Sequence, residues 1–242
     1  MTPRVAIIVF PGTWSDRDFV DVAPIVGWEA VRVWHAERDL PAFDAVVLPG
    51  GFAHGDYLRT GAIARFSPIM AAVESFAASG GPVLGSCNGF QILCEAGMLP
   101  GALLRNDHLQ FRCDWQWLRV ESSASCQAWL GAAADGQPIR LPISHGEGRY
   151  YADDATLTGL ESTRRIVLRY AEADGRVTPD ANPNGSLHEI AGITNPRGNV
   201  LGLMPHPERA AEAEVGGSDG LVLLRSLSAW LDAQPAVAER RL

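Results

Sequence analysis

Residues 81–91 read Gly-Pro-Val-Leu-Gly-Ser-Cys-Asn-Gly-Phe-Gln, and this stretch gives the strongest indication of the fold. Val83 and Leu84 predict a short buried strand, and the residues from Phe90 onward predict a helix. Cys87 lies at the turn between them, with a glycine two residues to either side. Flanking glycines at a strand-to-helix turn are typical of a nucleophile elbow, and a helix N-terminus favours the thiolate form of a cysteine. We therefore predict that Cys87 is a nucleophile, with a small buried cysteine in a glycine-rich turn as the alternative.

A base for this thiol is available near the other end of the chain, in the sequence Met-Pro-His-Pro-Glu at 204–208. Each proline disfavours the helical conformation of the residue before it, so we expect an extended segment with His206 and Glu208 on one side. Glu208 can then orient the imidazole while its other nitrogen faces Cys87, as in a catalytic triad. The apolar residues 199–203 predict a strand that carries the pair to the carboxyl edge of a sheet. A proline-rich surface turn with a solvated histidine is the alternative.

A glycine pair after another predicted strand supplies a third element of the site. The apolar residues 46–48 are followed by Pro49, Gly50 and Gly51. Acyl transfer from a thiolate passes through a tetrahedral oxyanion, which backbone N–H groups stabilise. We expect one N–H group from Asn88, directly after the nucleophile, and a second from the glycine pair. Glycine pairs also occur elsewhere in the chain, so an ordinary loop is the alternative.

Strands and helices alternate in the first part of the chain, which predicts an α/β protein with a mostly parallel central sheet flanked by helices. The predicted strands are 5–10, 29–34, 45–48 and 83–84, and the predicted helices are 16–27 and 63–79. Additional strands follow in the second half, at 115–121, 139–145, 165–170, 190–194 and 200–204, before a last helix at 219–231. The length predicts a single domain over 1–242, with a core from about 4 to 231 and a frayed tail at 235–242.

The composition argues against several other functions. A formal net charge of −8 is unlike that of a nucleic-acid-binding protein, which presents a basic face. All 20 basic residues are arginine, so the chain has neither a P-loop lysine nor a Schiff-base lysine. The four cysteines, at 87, 94, 113 and 126, lack metal-binding spacing, and we predict no metal site. The sequence shows neither a signal-peptide pattern nor a long apolar run, so we expect a cytoplasmic location without membrane contact.

The motifs together resemble those of a known family. Pro-Gly-Gly at 49–51, Gly-x-Cys-x-Gly-x-Gln at 85–91 and Pro-His-Pro-Glu at 205–208 are similar to the class I (triad) glutamine amidotransferases. Longer runs, at 51–64, 95–103, 143–150 and 182–186, resemble the glutaminase subunits of phosphoribosylformylglycinamidine synthase. The resemblance covers residues from about 4 to 231 and implies the flavodoxin-like fold of this class.

The resemblance implies a role for individual residues of these motifs. Cys87 matches the nucleophile, His206 the base and Glu208 its orienter. Gly51 and Asn88 match the two positions of the oxyanion hole. Further residues are implied to bind glutamine, and these are Gly50, Gln91, Ser144, His145 and Gly146.

The implied activity is hydrolysis of L-glutamine to glutamate and ammonia through a Cys-His-Glu triad. The ammonia is expected to pass to a synthetase subunit, accompanied by a small third subunit, for conversion of formylglycinamide ribonucleotide to formylglycinamidine ribonucleotide in purine (IMP) biosynthesis. This step requires ATP and Mg²⁺, which we expect on the synthetase and not on this chain. One alternative is a glutaminase that serves another biosynthetic synthetase. Another is a DJ-1-like cysteine protein without amidase activity, against which the paired His206 and Glu208 argue.

Three segments beside the motifs have open roles. The first loop departs from the family pattern at Trp14 and Ser15, where asparagine and cysteine are expected. Residues 54–59, after the glycine pair, could form a lid, contact the synthetase or cap a helix. His145 and Glu147 look like a second acid–base pair, but the resemblance implies that their loop holds glutamine or shapes the ammonia exit.

Overall fold

The computed structural model describes residues 2–121 and 126–234, and the predicted frayed tail at 235–242 lies outside them. The strands of these ranges are β1 Arg4–Val9, β2 Glu29–Trp34, β3 Ala45–Leu48, β4 Val83–Ser86, β5 Ala102–Leu104, β6 Arg112–Val120, β7 Pro138–His145, β8 Arg149–Tyr151, β9 Ile166–Tyr170, β10 Ile190–Thr194 and β11 Val200–Leu203. The helices are α1 Asp16–Val26, α2 Ile69–Ala78, α3 Asn88–Glu95, α4 Gln127–Leu130, α5 Asp154–Ser162 and α6 Leu221–Ala233. Among these helices, none combines the length and the apolar character that a membrane span requires.

Nine of the strands form one sheet in the order β2-β1-β3-β4-β11-β10-β9-β6-β7. The five strands from β2 to β11 pair in parallel. From β10 onward each strand runs antiparallel to its neighbour, so the additional strands of the second half extend the parallel half at one edge. Strands β5 and β8 form a separate antiparallel pair. The predicted α/β class, with a flanked central sheet and added strands, is confirmed.

The sheet is covered on both faces, and its central strands alternate between two apolar cores. In β1, Val5 and Ile7 pack in the core beneath α1, α4 and α6. Ala6 and Ile8 point the other way, into the core beneath α2, α3 and α5. All four side chains are fully buried, which explains why the strand reads as an uninterrupted apolar run.

The helix predicted at 63–79 is wrong in its first turn. The chain forms a short 3₁₀ turn at Ala64–Phe66, and Ser67 is then extended, with ψ of 141°. Helix α2 begins only at Ile69, directly after Pro68. A proline disfavours the helical conformation of the preceding residue but fits the start of a helix, so Pro68 separates the two segments.

Helix α5 and the short strands β5 and β8 were absent from the sequence-based prediction. The helix has a local start signal, because the Asp153 side chain accepts a hydrogen bond from the Thr156 N–H group at 2.8 Å. Such a cap satisfies one of the unpaired N–H groups of the first turn. The two short strands depend on pairing with each other, between segments about fifty residues apart, and three-residue strands carry little periodicity of their own.

Candidate active site

The three predicted motifs meet at the carboxyl edge of the parallel half of the sheet. Strand β4 lies between β3 and β11, and all three run in the same direction. Cys87 follows β4, the Gly50–Gly51 pair follows β3, and His206 follows β11. The Cys87 N–H group donates a hydrogen bond to the Leu203 carbonyl oxygen at 2.8 Å, which fixes the central turn against β11.

Cys87 has the backbone geometry of a nucleophile elbow. Its φ of 51° and ψ of −106° place it in a conformation that residues with a side chain rarely adopt. A Cβ atom on Gly89 would overlap the Leu48 carbonyl oxygen, and one on Gly85 would lie 2.7 Å from the Gly89 carbonyl carbon. The two glycines are therefore required by close packing around the turn, as the sequence pattern predicts.

His206 and Glu208 form a buried pair. The Nδ1 atom of His206 lies 2.6 Å from Oε1 of Glu208, and the two side chains are 2% and 0% exposed. His206 is extended, but Pro207–Arg209 forms a 3₁₀ turn, so the extended segment predicted from the prolines is wrong after His206. The contact forms across this turn because Pro207 suits the first position of a helical turn as well as an extended chain.

Ser86 is a third member of this group that the sequence analysis missed. Its hydroxyl lies within hydrogen-bonding distance of both carboxylate oxygens of Glu208, at 3.1 Å and 3.3 Å. Ser86 is fully buried at the end of β4, directly before Cys87. A single hydroxyl in an otherwise apolar strand is the signal that could have indicated it, since a buried hydroxyl needs a partner.

The environment of His206 favours its protonated form. Burial alone would lower the pKa of the imidazole, but the Glu208 carboxylate and the adjoining Cys87 outweigh burial and raise the pKa of His206 above its ordinary value of 6.5. Its Nε2 atom is buried and has no hydrogen-bond partner among the residues described. A proton on this nitrogen is therefore available to a group bound beside Cys87.

The glycine pair packs directly against the catalytic residues. A Cβ atom on Gly50 would lie 2.6 Å from Cε1 of His206 and 3.3 Å from Cβ of Cys87. Gly51 has a φ of 148°, which favours glycine. Asn88 is the first residue of α3, so its N–H group has no acceptor within the helix. Gly51 borders the same space as Cys87, and Asn88 directly follows Cys87 in the chain, so the two predicted oxyanion-hole residues both lie beside the thiol.

Asn88 and Gln91 link the walls of the site through their side chains. The Ala53 N–H group donates to Oδ1 of Asn88 at 3.0 Å, and Nδ2 of Asn88 donates to Oε1 of Gln91 at 2.8 Å. Nε2 of Gln91 then donates to the Glu147 carbonyl oxygen at 2.6 Å. Gln91 lines the site as predicted, but its polar atoms hold the protein's own loops together.

His145 is also held within the protein. Its two ring nitrogens lie 3.3 Å from Oδ1 of Asn106 and 3.5 Å from Nδ2 of Asn184, and the ring packs against the Cα of Gly148. Burial, with a smaller effect of His206, lowers the pKa of His145 to about 3 and keeps it neutral. These contacts favour a role in holding the loop over a role in proton transfer.

A cavity of about 140 Å³ opens beside Cys87 on the side of α3. Four of the five predicted glutamine-binding residues line this cavity. Its full lining is Gly51, Phe52, Asp56, Thr60, Cys87, Gln91, Phe111, Ser144, His145, Gly146 and Glu147. The fifth, Gly50, lies behind Cys87, against His206. We call this space the α3-side cavity. The Ser144 carbonyl oxygen lies 3.6 Å from Sγ of Cys87, at the boundary of the cavity.

A second space of about 150 Å³ lies on the other side of Cys87, lined by Trp14, Gly51, Phe52, Cys87, Ser144, His206 and Arg209. Within residues 2–121 and 126–234, no three histidine, cysteine or acidic side chains are grouped to hold a metal ion. This edge of the sheet brings together the thiol of Cys87 and the buried imidazole–carboxylate pair of His206 and Glu208.

Comparison with known proteins agrees with this geometry. The family model of the CobB/CobQ-like glutamine amidotransferase domain matches residues 2–216. A curated relative from Moorella thermoacetica, phosphoribosylformylglycinamidine synthase subunit PurQ, is 55% identical over 94% of this chain and 96% of its own length. The chain belongs to the PurQ family. A PurQ from Thermosynechococcus vestitus is 57% identical over 93% of this chain and 95% of the relative.

Solved structures extend the PurQ comparison to the fold. One chain of the structure of PurLQS from Thermotoga maritima superposes with a TM-score of 0.84 at 41% identity, and the match covers 96% of this chain and 100% of that one. A glutamine amidotransferase from the same organism is only 17% identical, and its TM-score of 0.61 supports the fold alone. The resemblance inferred from the motifs is confirmed.

Proposed function

We propose that this chain is the glutaminase subunit of phosphoribosylformylglycinamidine synthase and hydrolyses L-glutamine to glutamate and ammonia. The observation that carries this proposal is the meeting of Cys87 with the buried pair of His206 and Glu208 at the ends of two adjacent parallel strands. Membership of the PurQ family supports the choice of glutamine as substrate and purine biosynthesis as the pathway.

In the first half of the reaction, the Cys87 thiolate attacks Cδ of the glutamine side chain. The carbonyl oxygen becomes an oxyanion, which the N–H groups of Gly51 and Asn88 stabilise. The C–N bond then breaks, His206 gives its proton to the leaving nitrogen, and ammonia departs from a glutamyl thioester. The raised pKa of His206 suits this step, because the proton is already in place when the leaving group needs it.

In the second half, neutral His206 removes a proton from water, which attacks the thioester. The tetrahedral intermediate uses the same oxyanion hole, and its collapse releases glutamate and the Cys87 thiolate. Glu208 keeps the imidazole oriented through both halves and favours the imidazolium form. Ser86 fixes the carboxylate in turn.

Two carboxylates in the α3-side cavity fit the α-ammonium group of glutamine. Asp56 and Glu147 both line the cavity, and Oδ1 of Asp56 is buried without a hydrogen-bond partner among the described residues. The Thr60 hydroxyl donates a hydrogen bond to Oε2 of Glu147 at 3.1 Å, and Nε of Arg105 lies 3.7 Å from Oε1 of Glu147. Burial and the charge of Glu147 raise the pKa of Asp56 to about 6. A cation bound here relieves this unfavourable charge, which is why we assign the α-ammonium group to it.

The KM for glutamine is expected to rise as the pH falls through about 6, because a protonated Asp56 no longer attracts the α-ammonium group. Asp56→Asn should raise the KM by roughly 10-fold or more and remove this pH dependence, with a smaller effect on kcat. The measurement is a set of glutaminase saturation curves across this pH range. Asp154→Asn, an exposed carboxylate of α5, is the matched control. An unchanged KM in Asp56→Asn at neutral pH would place the ammonium group elsewhere.

Exposed apolar side chains surround the opening of the site. Trp14, Phe52 and Phe111 line the two spaces beside Cys87 and are 72%, 49% and 52% exposed. Large exposed apolar patches of this kind are typical of protein interfaces. We therefore place the synthetase subunit over this opening, where ammonia leaves, and assign ATP, Mg²⁺ and the nucleotide to the synthetase. A small third subunit completes the proposed complex.

The test is a glutaminase assay of the purified chain with and without the synthetase subunit and its nucleotide. We expect low activity alone and strong activation in the complex, because partner binding can set the glycine loop in its productive orientation. Full activity of the isolated chain would contradict this dependence. Activation only by a different synthetase would assign the glutaminase to another pathway, and absence of hydrolysis under every condition would favour a non-amidase cysteine protein.

A further inference from the structure

The first loop of the chain holds the peptide group between Gly50 and Gly51. The Gly50 carbonyl oxygen accepts hydrogen bonds from the N–H groups of Trp14 and Ser15, both at 3.0 Å. In the same contact, the N–H group of Phe52, the residue after the glycine pair, donates to the Gly12 carbonyl oxygen at 2.9 Å. The loop thus binds the glycine pair as a short antiparallel bridge.

A side-chain contact fixes this loop to the catalytic segment. Ser15 is fully buried, and its Oγ atom accepts a hydrogen bond from Arg209 at 2.7 Å. Nε of Arg209 donates to Asp18 of α1 at 2.8 Å. Arg209 directly follows Glu208 in the same 3₁₀ turn. One turn therefore orients the His206 imidazole through Glu208 and holds the Gly50 peptide through Ser15.

The direction of the carbonyl determines the direction of the neighbouring N–H group. In a planar trans peptide the Gly50 C=O and the Gly51 N–H point in opposite directions. Because the carbonyl is held against the first loop, the Gly51 N–H points away from it. Gly51 borders both spaces beside Cys87, whereas Trp14 of the first loop lines only the second of them. The direction away from the first loop therefore leads toward the α3-side cavity, the space proposed for glutamine.

We infer that Ser15 and Arg209 are positioning residues of the oxyanion hole, which keep the Gly51 N–H group directed at the reacting carbonyl. This inference rests on the proposed glutaminase function. Neither glycine has a side chain that would hinder rotation of the peptide, so its orientation depends on the hydrogen bonds to its carbonyl oxygen. A rotated peptide would present the Gly50 carbonyl oxygen to the oxyanion and repel it.

Ser15→Ala and Arg209→Met each remove the bond between the two side chains and leave the loop N–H groups in place. In the synthetase complex we expect kcat for glutamine to fall by roughly 10- to 100-fold, less than the ~10²–10³ for complete loss of an oxyanion donor. The KM for glutamine should change by less than about twofold, because the uncharged amide is bound before the oxyanion forms. The double variant should be no slower than the slower single variant, since both substitutions remove the same hydrogen bond between Ser15 and Arg209.

Two controls separate positioning from general damage. Alkylation of Cys87 by iodoacetamide forms no oxyanion, so its rate should be the same in Ser15→Ala as in the unsubstituted chain. Asp18→Asn weakens the support of Arg209 and should lower kcat, whereas Asp21→Asn on the same helix, paired with Arg17 at the surface, should not. Ammonia-dependent synthesis should be normal in all variants.

Unchanged kcat in both Ser15→Ala and Arg209→Met would overturn the inference. Equal losses of kcat and of the alkylation rate would also overturn it, because they would indicate a damaged elbow. Failure of the proposed function has a different signature, in which the unsubstituted chain hydrolyses no glutamine even in the complex. The two results are therefore distinguishable in one series of assays.

Discussion

Cys87→Ser is expected to abolish glutamine-dependent synthesis in the reconstituted complex and to leave ammonia-dependent synthesis largely intact. Serine has nearly the same size as cysteine, so the elbow should fold, but its hydroxyl ionises far less readily than a thiol. Removing the nucleophile of a triad typically costs about 10⁴-fold or more in kcat. Added ammonia bypasses this chain, because the synthetase is proposed to carry the nucleotide chemistry.

The measurement compares formation of the amidine product from glutamine and from ammonium salts in the same preparation. Cys113→Ser is the matched control, since Cys113 is an exposed thiol of β6, and both reactions should proceed normally. Loss of the ammonia-dependent reaction in Cys87→Ser, with the complex still assembled, would contradict the proposed division of labour between the subunits.

His206→Ala is expected to remove nearly all glutaminase turnover, because the imidazole performs both proton transfers. A loss of about 10⁴-fold or more in kcat is the typical result for the base of a triad. Glu208→Gln should retain a small residual rate with the KM for glutamine nearly unchanged. The substitution leaves the imidazole in place but makes it less well oriented and less readily protonated. Ser86→Ala should cost less than either, because it removes a single hydrogen bond to the carboxylate.

The pH profile distinguishes Glu208→Gln from simple damage. The Glu208 carboxylate raises the pKa of His206, whereas burial lowers it. Without the carboxylate, the pKa of His206 falls, and protonation at Nε2 is lost at a lower pH. The basic limb of kcat against pH should therefore move to lower pH in Glu208→Gln. A kcat near that of the unsubstituted chain in His206→Ala would require a different base, with His145 as the first candidate.

The elbow and the triad could be predicted from the sequence because their causes are local. Glycines flanking Cys87 are needed by the turn itself, and prolines flanking His206 restrict its backbone. The alternation of apolar segments then indicated which strand ends lie together. The predicted start of α2, at residue 63, is too early because it follows the helical spacing of the apolar residues. Pro68, directly before the observed start at Ile69, is the more specific signal.

The remaining parts of the site depend on contacts that no local pattern encodes. Ser15 and Arg209 are 194 residues apart in the chain, and their contact follows from the packing of α1 against the 3₁₀ turn Pro207–Arg209. Similarly, the sequence could not distinguish a catalytic from a buried His145, since the difference lies in the partners Asn106 and Asn184. The pKa of Asp56 is raised first by burial and second by the charge of Glu147, and both depend on how segments far apart in the chain pack together.

The position of β11 has a consequence for the protein while it is being synthesised. Strand β11 inserts between β4 and β10, although it follows β4 by more than a hundred residues. A nascent chain that has emerged only as far as α3 therefore has its thiol but neither imidazole nor carboxylate. One edge of β4 also stays unpaired until the last strand arrives, which leaves a site for incorrect pairing. The strand that completes the sheet is thus also the one that leads directly to the imidazole and the carboxylate, and a chain that ends before β11 lacks both groups.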